Sequence, residues 1–220
     1  MICDEVVREG VLICDMCRLH LSPVKGKRCV KCSKILEDLD NEICLDCRKT
    51  LQYFEYGIAL FDYKDLKKSL YRYKYNGRGE YADFYANEIC KYLGAEICKM
   101  KIDMIIPVPL HKNREMKRGY NQAKLIADRV GERLGLQVGD NIVKRVKNTI
   151  AQKKLGIANR QNNLKKAFHI SGYDVKLKRV LIIDDIYTTG ATINSLAREL
   201  SLAGASEIYF IALAIGRESF

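Results

Sequence analysis

The chain has little proline, only three in 220 residues, and no low-complexity tract. With 48% of its residues apolar, that composition excludes disorder as a global state. No apolar run approaches the roughly 20 residues that cross a bilayer, which excludes a membrane-spanning helix. A signal peptide is not expected, because Asp4, Glu5 and Glu9 interrupt the place of its apolar core. A cytoplasmic protein is expected. Acidic side chains are absent from Val143 to Phe168, where eight Lys and Arg fall. A basic run of mixed composition, with Thr149, Gln152, Leu155, Arg160 and Asn163 inside it, suits a flap closing over a polyanionic substrate.

The net charge of +11 is unevenly placed. Residues 1–50 carry nine basic and nine acidic side chains, so the whole excess lies in residues 51–220. A basic domain attracts polyanions, either nucleic acid or a small phosphorylated substrate. The length allows one domain with a real core plus a small appendage. We read a Cys-rich module over 1–50 and a larger domain over 51–220.

The most informative stretch runs from Val180 to Thr192. Val180, Leu181, Ile182 and Ile183 form an apolar run without alternation, as in a strand buried on both faces of a parallel sheet. It ends in Asp184 and Asp185, at the sheet edge where ligands collect. Thr188, Thr189, Gly190, Ala191 and Thr192 then offer hydroxyls and backbone N–H groups at the start of a helix, a setting that favours an anion. Ile193, Leu196, Ala197 and Leu200 recur at helical spacing behind them, and Gly204 closes the helix. Paired acids beside an anion cradle suit a ribose 5-phosphate. The run resembles the phosphoribosyl-diphosphate signature of type I phosphoribosyltransferases. That resemblance implies that the acids hold the ribose hydroxyls and that residues 188–192 hold the 5-phosphate.

Six of the nine cysteines form three Cys-x-x-Cys pairs. This spacing turns two thiolates toward one metal, and two such knuckles complete a tetrahedral zinc site. Cys29, Cys32, Cys44 and Cys47 are the expected ligands of a structural zinc, with eleven residues between the knuckles. Cys14 and Cys17 point to a second site together with Cys3, but Val6 stands where a partner of Cys3 would complete the fourth pair. His20 is the nearest other donor and is not counted among the ligands. Fifty residues with few large apolar groups do not fold on a core alone, so metal is expected to hold the module. Cys90 and Cys98 read as small buried hydrophobes of a helix.

In the larger domain, residues 54–61 read as a strand. Lys64 to Arg78 follows, with six basic side chains interleaved with Tyr71, Tyr73 and Tyr75. Two readings stand here. In one, Lys67, Lys68 and Arg72 neutralise nucleic-acid phosphates while tyrosines stack on bases. In the other, an amphipathic helix packs its tyrosines and solvates its lysines. Residues 80–93 continue as helix. Met104 to Leu110 is a second buried strand, ended by Pro107 and Pro109. A basic loop with Lys112, Arg114, Lys117 and Arg118 follows, a suitable place for a diphosphate. Ala123, Ile126, Ala127, Val130 and Leu134 mark the next helix.

The whole order resembles the ComF family of competence-associated proteins. The matching elements are the amino-terminal knuckles, Pro107-Val108-Pro109-Leu110, Arg118-Gly119-Tyr120-Asn121-Gln122, Thr149-x-x-Gln152, Arg160-x-x-Asn163, Ala167-Phe168 and Asp184-Asp185-x-x-Thr188-Thr189-Gly190. The family often starts with a further Cys-x-x-Cys, of which only Cys3 remains. The resemblance implies an α/β fold: a type I phosphoribosyltransferase-like, mostly parallel sheet flanked by helices, with the Asp184 strand central. It implies phosphoribosyl diphosphate with Mg²⁺ as ligand, Asp184 and Asp185 as catalytic groups, and Val108, Pro109, Arg118 and Gly119 as the diphosphate loop. It also implies a role in natural competence at the inner face of the membrane, with single-stranded DNA and uptake proteins as partners. An active phosphoribosyltransferase of nucleotide or amine metabolism, its acceptor unspecified, and a binding module that keeps the site for recognition remain as separate readings.

Overall fold

Four apolar runs build one sheet in this computed structural model, which describes residues 1–3, 5–38, 40–146, 167–170 and 179–216. They are β1 (Tyr56–Asp62), β2 (Met104–Pro107), β5 (Arg179–Tyr187) and β6 (Glu207–Ile215). The strand order is β1-β6-β5-β2, and every pairing is parallel. β5 is interior, as expected. A short antiparallel pair, β3 (Val143–Arg145) and β4 (Phe168–Ile170), lies apart from it. The helices are α1 (Asp15–His20), α2 (Leu45–Lys49), α3 (Tyr63–Tyr75), α4 (Tyr81–Met100), α5 (Lys112–Arg118), α6 (Gln122–Leu134) and α7 (Ala191–Leu202). No helix among the described residues is long and apolar enough to cross a membrane.

Because side chains alternate along a strand, β5 feeds two cores. Leu181 and Ile183 join Leu66, Leu70, Tyr85, Ile89, Ile126 and Val130, so α3, α4 and α6 cover that face. Val180 and Ile182 face the other way, among Leu196, Leu200, Phe210 and Phe54. Among the described residues, α7 supplies most of the helical contacts there, together with Ala123 of α6. The rest of the cover comes from the cysteine module, whose Cys29, Cys32 and Leu36 are buried in the same cluster. Among the described residues, the module and α7 together cover this face.

Backbone hydrogen bonds seat it. Gly57 N–H donates to the Lys31 carbonyl at 2.8 Å and Val24 N–H to the Leu60 carbonyl at 2.9 Å. Asn194 of α7 accepts from Tyr53 N–H and donates to the Leu51 carbonyl, each at 2.8 Å. Gly57 is required: a Cβ there would come within 2.0 Å of the Phe210 ring.

The element ends follow local chemistry. Asp62 closes β1 and caps α3, its carboxylate accepting from Lys64 N–H at 2.9 Å. The helix expected over 80–93 continues to Met100 and stops at Lys101, whose φ is +51°. Within it Cys90 is half-buried but Cys98 is exposed, which corrects the reading of Cys98 as a buried hydrophobe. Its position faces solvent, and a small side chain carries too little apolar area to set a helix's orientation. Thr149, Gln152, Leu155, Arg160 and Asn163 lie outside the described residues.

Candidate functional site

The parallel order puts the carboxyl ends of β5 and β2 side by side, and the sequence-marked residues gather there. Asp184 is half-buried and Asp185 buried, and Asp185 N–H donates to the Asp184 carboxylate at 2.8 Å. Burial, reinforced by the neighbouring charge of Asp185, raises the Asp184 carboxyl from its ordinary 3.8 to about 7. The charges of Lys74 and Arg145 pull the other way. Lys74, on α3, reaches Asp185 with an Nζ–Oδ1 distance of 2.9 Å. Both side chains are largely buried, at 17% and 12% exposure, so the pair is weakly screened.

The turn after β5 is shaped for close backbone approach. Gly190 adopts φ +77° at the start of α7, where a Cβ would meet the Tyr187 hydroxyl at 2.2 Å. Thr189 Oγ1 accepts from Ala191 N–H at 3.3 Å. Thr188, Thr189, Ala191 and Thr192 are half-buried, so the loop meets solvent over a buried strand.

β2 carries the other half. Val108 N–H donates to the Ile183 carbonyl at 2.9 Å, which continues the pairing one residue past Pro107. Asn121 then clamps the following loop: its side-chain nitrogen donates to the Val108 carbonyl at 3.0 Å, while its oxygen caps α6 by accepting from Ala123 N–H at 3.0 Å. Gly119, at φ +83°, ends α5. Arg118 donates to Gln122 at 2.7 Å and lies over the Tyr75 ring at 5.1 Å. Tyr73 donates to the Gln122 carbonyl at 2.9 Å, and Tyr120 donates to the Tyr73 carbonyl. The Arg118–Gln122 motif therefore ties α6 to α3, the helix that carries Lys74. Arg145, on β3, belongs to the same neighbourhood. Burial lowers its pKa to about 10, the charge of Arg114 adding to the effect and that of Asp184 opposing it.

Of the residues proposed for nucleic acid, Lys67 and Lys68 are exposed on α3. Arg72 is half-buried and donates to the carbonyls of Met1 and Cys3, each at 3.3 Å. The tyrosines divide: Tyr73 is fully buried, whereas Tyr71 and Tyr75 are exposed with ring centroids 5.0 Å apart.

The cysteines converge in two places. The sulfurs of Cys29, Cys32, Cys44 and Cys47 all lie within 4.8 Å of one another, with Cys32 and Cys44 at 3.6 Å. Four thiols at that spacing fit one tetrahedral zinc. The sulfurs of Cys3, Cys14 and Cys17 form a second group on the same criterion. His20 does not join it, since its Nδ1 donates to the Met16 carbonyl at 2.6 Å.

The pairing of β2 with β5 sets Val108 beside Ile183, next to Asp184, Asp185 and the turn over residues 188–192, while Arg118 is tied to Gln122 and Tyr75. Sequence reasoning missed Lys74 as the partner of Asp185. The only available signal was register: Lys74 follows Leu70 by four, beside the buried face of α3.

Comparison with known proteins adds family relations. A double zinc ribbon domain model matches residues 1–53. The chain is 41% identical to competence protein F of Haemophilus influenzae over 114 residues, 51% of this chain and 50% of that protein. It is 30% identical to competence protein ComFC of Streptococcus pneumoniae over 203 residues, 84% of this chain and 86% of that one. Among solved structures, an adenine phosphoribosyltransferase of Thermoanaerobacter pseudethanolicus is 18% identical, with a TM-score of 0.37 over 76% of this chain and 93% of that chain. A hypoxanthine phosphoribosyltransferase of Staphylococcus aureus is 20% identical, with a TM-score of 0.36 over 60% of this chain and 64% of that chain. Likenesses this distant bear no weight on the site. With its amino-terminal zinc ribbon and a ComFC relative matched along most of both lengths, the chain belongs to the ComF family of competence proteins.

Proposed function

We propose that this protein binds phosphoribosyl diphosphate with Mg²⁺ at the carboxyl end of β5 and serves natural competence, in the handling of imported single-stranded DNA. One observation supports the site above all: two adjacent carboxylates at the edge of a buried parallel strand, followed at once by a hydroxyl- and glycine-rich turn into α7. Asp184 and Asp185 would hold the ribose hydroxyls, and residues 188–192 the 5-phosphate. Val108, Pro109, Arg118 and Gly119 would flank the diphosphate. The two carboxylates fit a Mg²⁺ that is otherwise held by phosphate and water, and the ion, when bound, neutralises diphosphate charge. The competence reading rests on the relatives named competence proteins and on another, DNA utilization protein YhgH of Salmonella typhi, 26% identical over 94% of this chain. Lys67 and Lys68, with Arg72 behind them, are the proposed contacts for single-stranded DNA, and proteins of the uptake machinery the proposed partners.

A second reading, transfer of the phosphoribosyl group, is favoured by the Asp184 carboxyl lying near 7, where it exchanges a proton at neutral pH. In that step an acceptor nitrogen bonds the anomeric carbon and diphosphate departs with the electron pair of the broken bond. The acceptor proton passes to Asp184 or to water.

Thermal unfolding with added ligand tests the site. Phosphoribosyl diphosphate with Mg²⁺ should raise Tm in the wild type and not in Thr188→Ala/Thr189→Val. No shift in the wild type at millimolar ligand would overturn the reading. Release of diphosphate in the presence of candidate amine or base acceptors would separate transfer from binding alone.

A further inference from the structure

The two faces of α3 meet different surroundings. Tyr73 and Lys74 turn inward, the first fully buried and the second ion-paired with Asp185 at 2.9 Å. The exposed positions of the helix are Lys64, Asp65, Lys67, Lys68, Tyr71 and Tyr75. One acid stands among three lysines, so this face is positive. Tyr71 and Tyr75 are one turn apart, which sets them side by side on it. They are 61% and 56% exposed, so neither ring anchors a core. Their centroids lie 5.0 Å apart with planes inclined at 49°, an open arrangement that leaves ring surface to solvent.

A third planar group joins them from the loop beside the acid pair. The Arg118 guanidinium stands 5.1 Å from the Tyr75 ring centroid. It donates through Nη2 to the Tyr75 hydroxyl at 3.5 Å and through Nη1 to Gln122 Oε1 at 2.7 Å. Two phenol rings and a guanidinium therefore form a row, with Lys67 and Lys68 one turn back from Tyr71. Such rings accept unpaired bases of any sequence, while the cations neutralise the phosphates between them. A duplex keeps its bases stacked on one another, and an acidic peptide carries charge without a series of flat rings. A single strand of nucleic acid matches both the charge and the rings.

We infer that Tyr71, Tyr75 and Arg118 form a stacking platform for successive bases of a single strand, and that Arg118 ties this platform to the diphosphate loop. The inference rests on the reading of α3 as a strand-binding helix and of Arg118 as part of that loop. One guanidinium does not stack on Tyr75 while it grips a diphosphate through two parallel hydrogen bonds. A diphosphate that draws it away frees the Tyr75 ring from its partner and removes a positive charge from the path of the strand. Strand and diphosphate should therefore weaken each other, and the effect is reciprocal.

The test follows a fluorescein-labelled oligothymidylate by anisotropy with the full zinc-loaded chain. Tyr71→Leu/Tyr75→Leu should bind it about 10-fold more weakly or worse, with an unchanged salt slope, because stacking is lost and no phosphate contact is. Tyr71→Phe/Tyr75→Phe should bind within about twofold of the wild type, since the ring and not the hydroxyl carries the stack. At constant ionic strength, phosphoribosyl diphosphate with Mg²⁺ should weaken strand binding to the wild type several-fold. Ribose 5-phosphate, which lacks the diphosphate, should not. Equal affinity in the wild type and the leucine variant, a shallower salt slope in that variant, or an equal loss for a duplex of the same length would overturn the platform. Strand affinity that ignores phosphoribosyl diphosphate, while calorimetry shows that ligand bound, would overturn the sharing of Arg118. A wild type that binds no oligothymidylate, or no phosphoribosyl diphosphate, would instead overturn the reading beneath the inference. The cases are distinct, because failure of the platform alone leaves wild-type strand binding intact and failure of the sharing alone leaves ligand binding intact.

Discussion

The two cysteine clusters of this chain share the Cys-x-x-Cys spacing and little else. Cys29, Cys32, Cys44 and Cys47 number four, with Cys29 and Cys32 buried against the sheet in the core that holds β5 and β6. Cys3, Cys14 and Cys17 number three, all half-buried, and the position that spacing would give a fourth, Val6, is 94% exposed. The first cluster helps to cover the face of the sheet on which α7 packs. The other leans on the opposite core, through Arg72 and through Arg18, whose guanidinium stands 3.8 Å from the buried Glu88 carboxylate. Spacing alone marks two sulfur groups. Ligand number and burial separate a centre that completes a core from one that sits at its rim.

Breaking each cluster should expose this difference most strongly. Cys32→Ser removes a ligand from inside a core and should lower Tm by on the order of 10 °C, with loss of one zinc equivalent by metal analysis. Cys14→Ser should lower it by only about 3 °C or less. Equal shifts would mean that the second cluster supports the fold as much as the first.

The acid pair comes next. Asp185→Asn leaves the Lys74 ammonium largely buried without its counter-charge and should cost about 1.5–3 kcal/mol in urea unfolding. Adding Lys74→Met should recover part of that loss. No recovery would show that Asp185 acts through other partners.

Asp184 makes stability depend on pH in a direction opposite to that of a paired carboxylate. Its carboxyl, raised to about 7 in the fold against an ordinary 3.8, holds a proton more tightly folded than unfolded. Stability should therefore fall as pH rises from about 4 to 7 and level off above it, by on the order of 1–3 kcal/mol. Asp184→Asn should flatten that slope. A wild-type curve rising through the same window would contradict the assigned cause.

Smaller effects sharpen the map around the loops. Asn121→Ala loses the α6 cap and frees the Val108 carbonyl, and should cost about 1–2 kcal/mol. Lys67→Gln/Lys68→Gln should leave Tm unchanged while reducing the salt slope of single-stranded DNA binding by about 1.4, at 0.7 per phosphate contact. An unchanged slope would remove these lysines from the DNA surface.

What the sequence made legible was whatever rested on local pattern. Val180–Ile183 announced a strand covered on both faces, the positions of Asp184 and Gly190 followed from it, and Cys-x-x-Cys spacing foretold both sulfur groups. Non-local facts stayed hidden. Lys74 and Asp185 lie 111 residues apart in the chain and meet because parallel β1 delivers α3 to the same sheet edge as β5. That the zinc module packs into one core of the sheet was equally invisible, because Cys29 and Cys32 are ligands by pattern and core residues only by contact. Tyr187 lies between two motifs, and its neighbours Phe210 and Gly190 come from β6 and from the turn into α7.

The most direct test of the site is isothermal titration of phosphoribosyl diphosphate with Mg²⁺ into the wild type and into Asp184→Asn/Asp185→Asn. Binding to the wild type that vanishes in the double variant, with zinc content and fold retained, is the expected result. No heat of binding to the wild type, or equal affinity in both chains, would contradict the placement of a phosphoribosyl ligand at the end of β5.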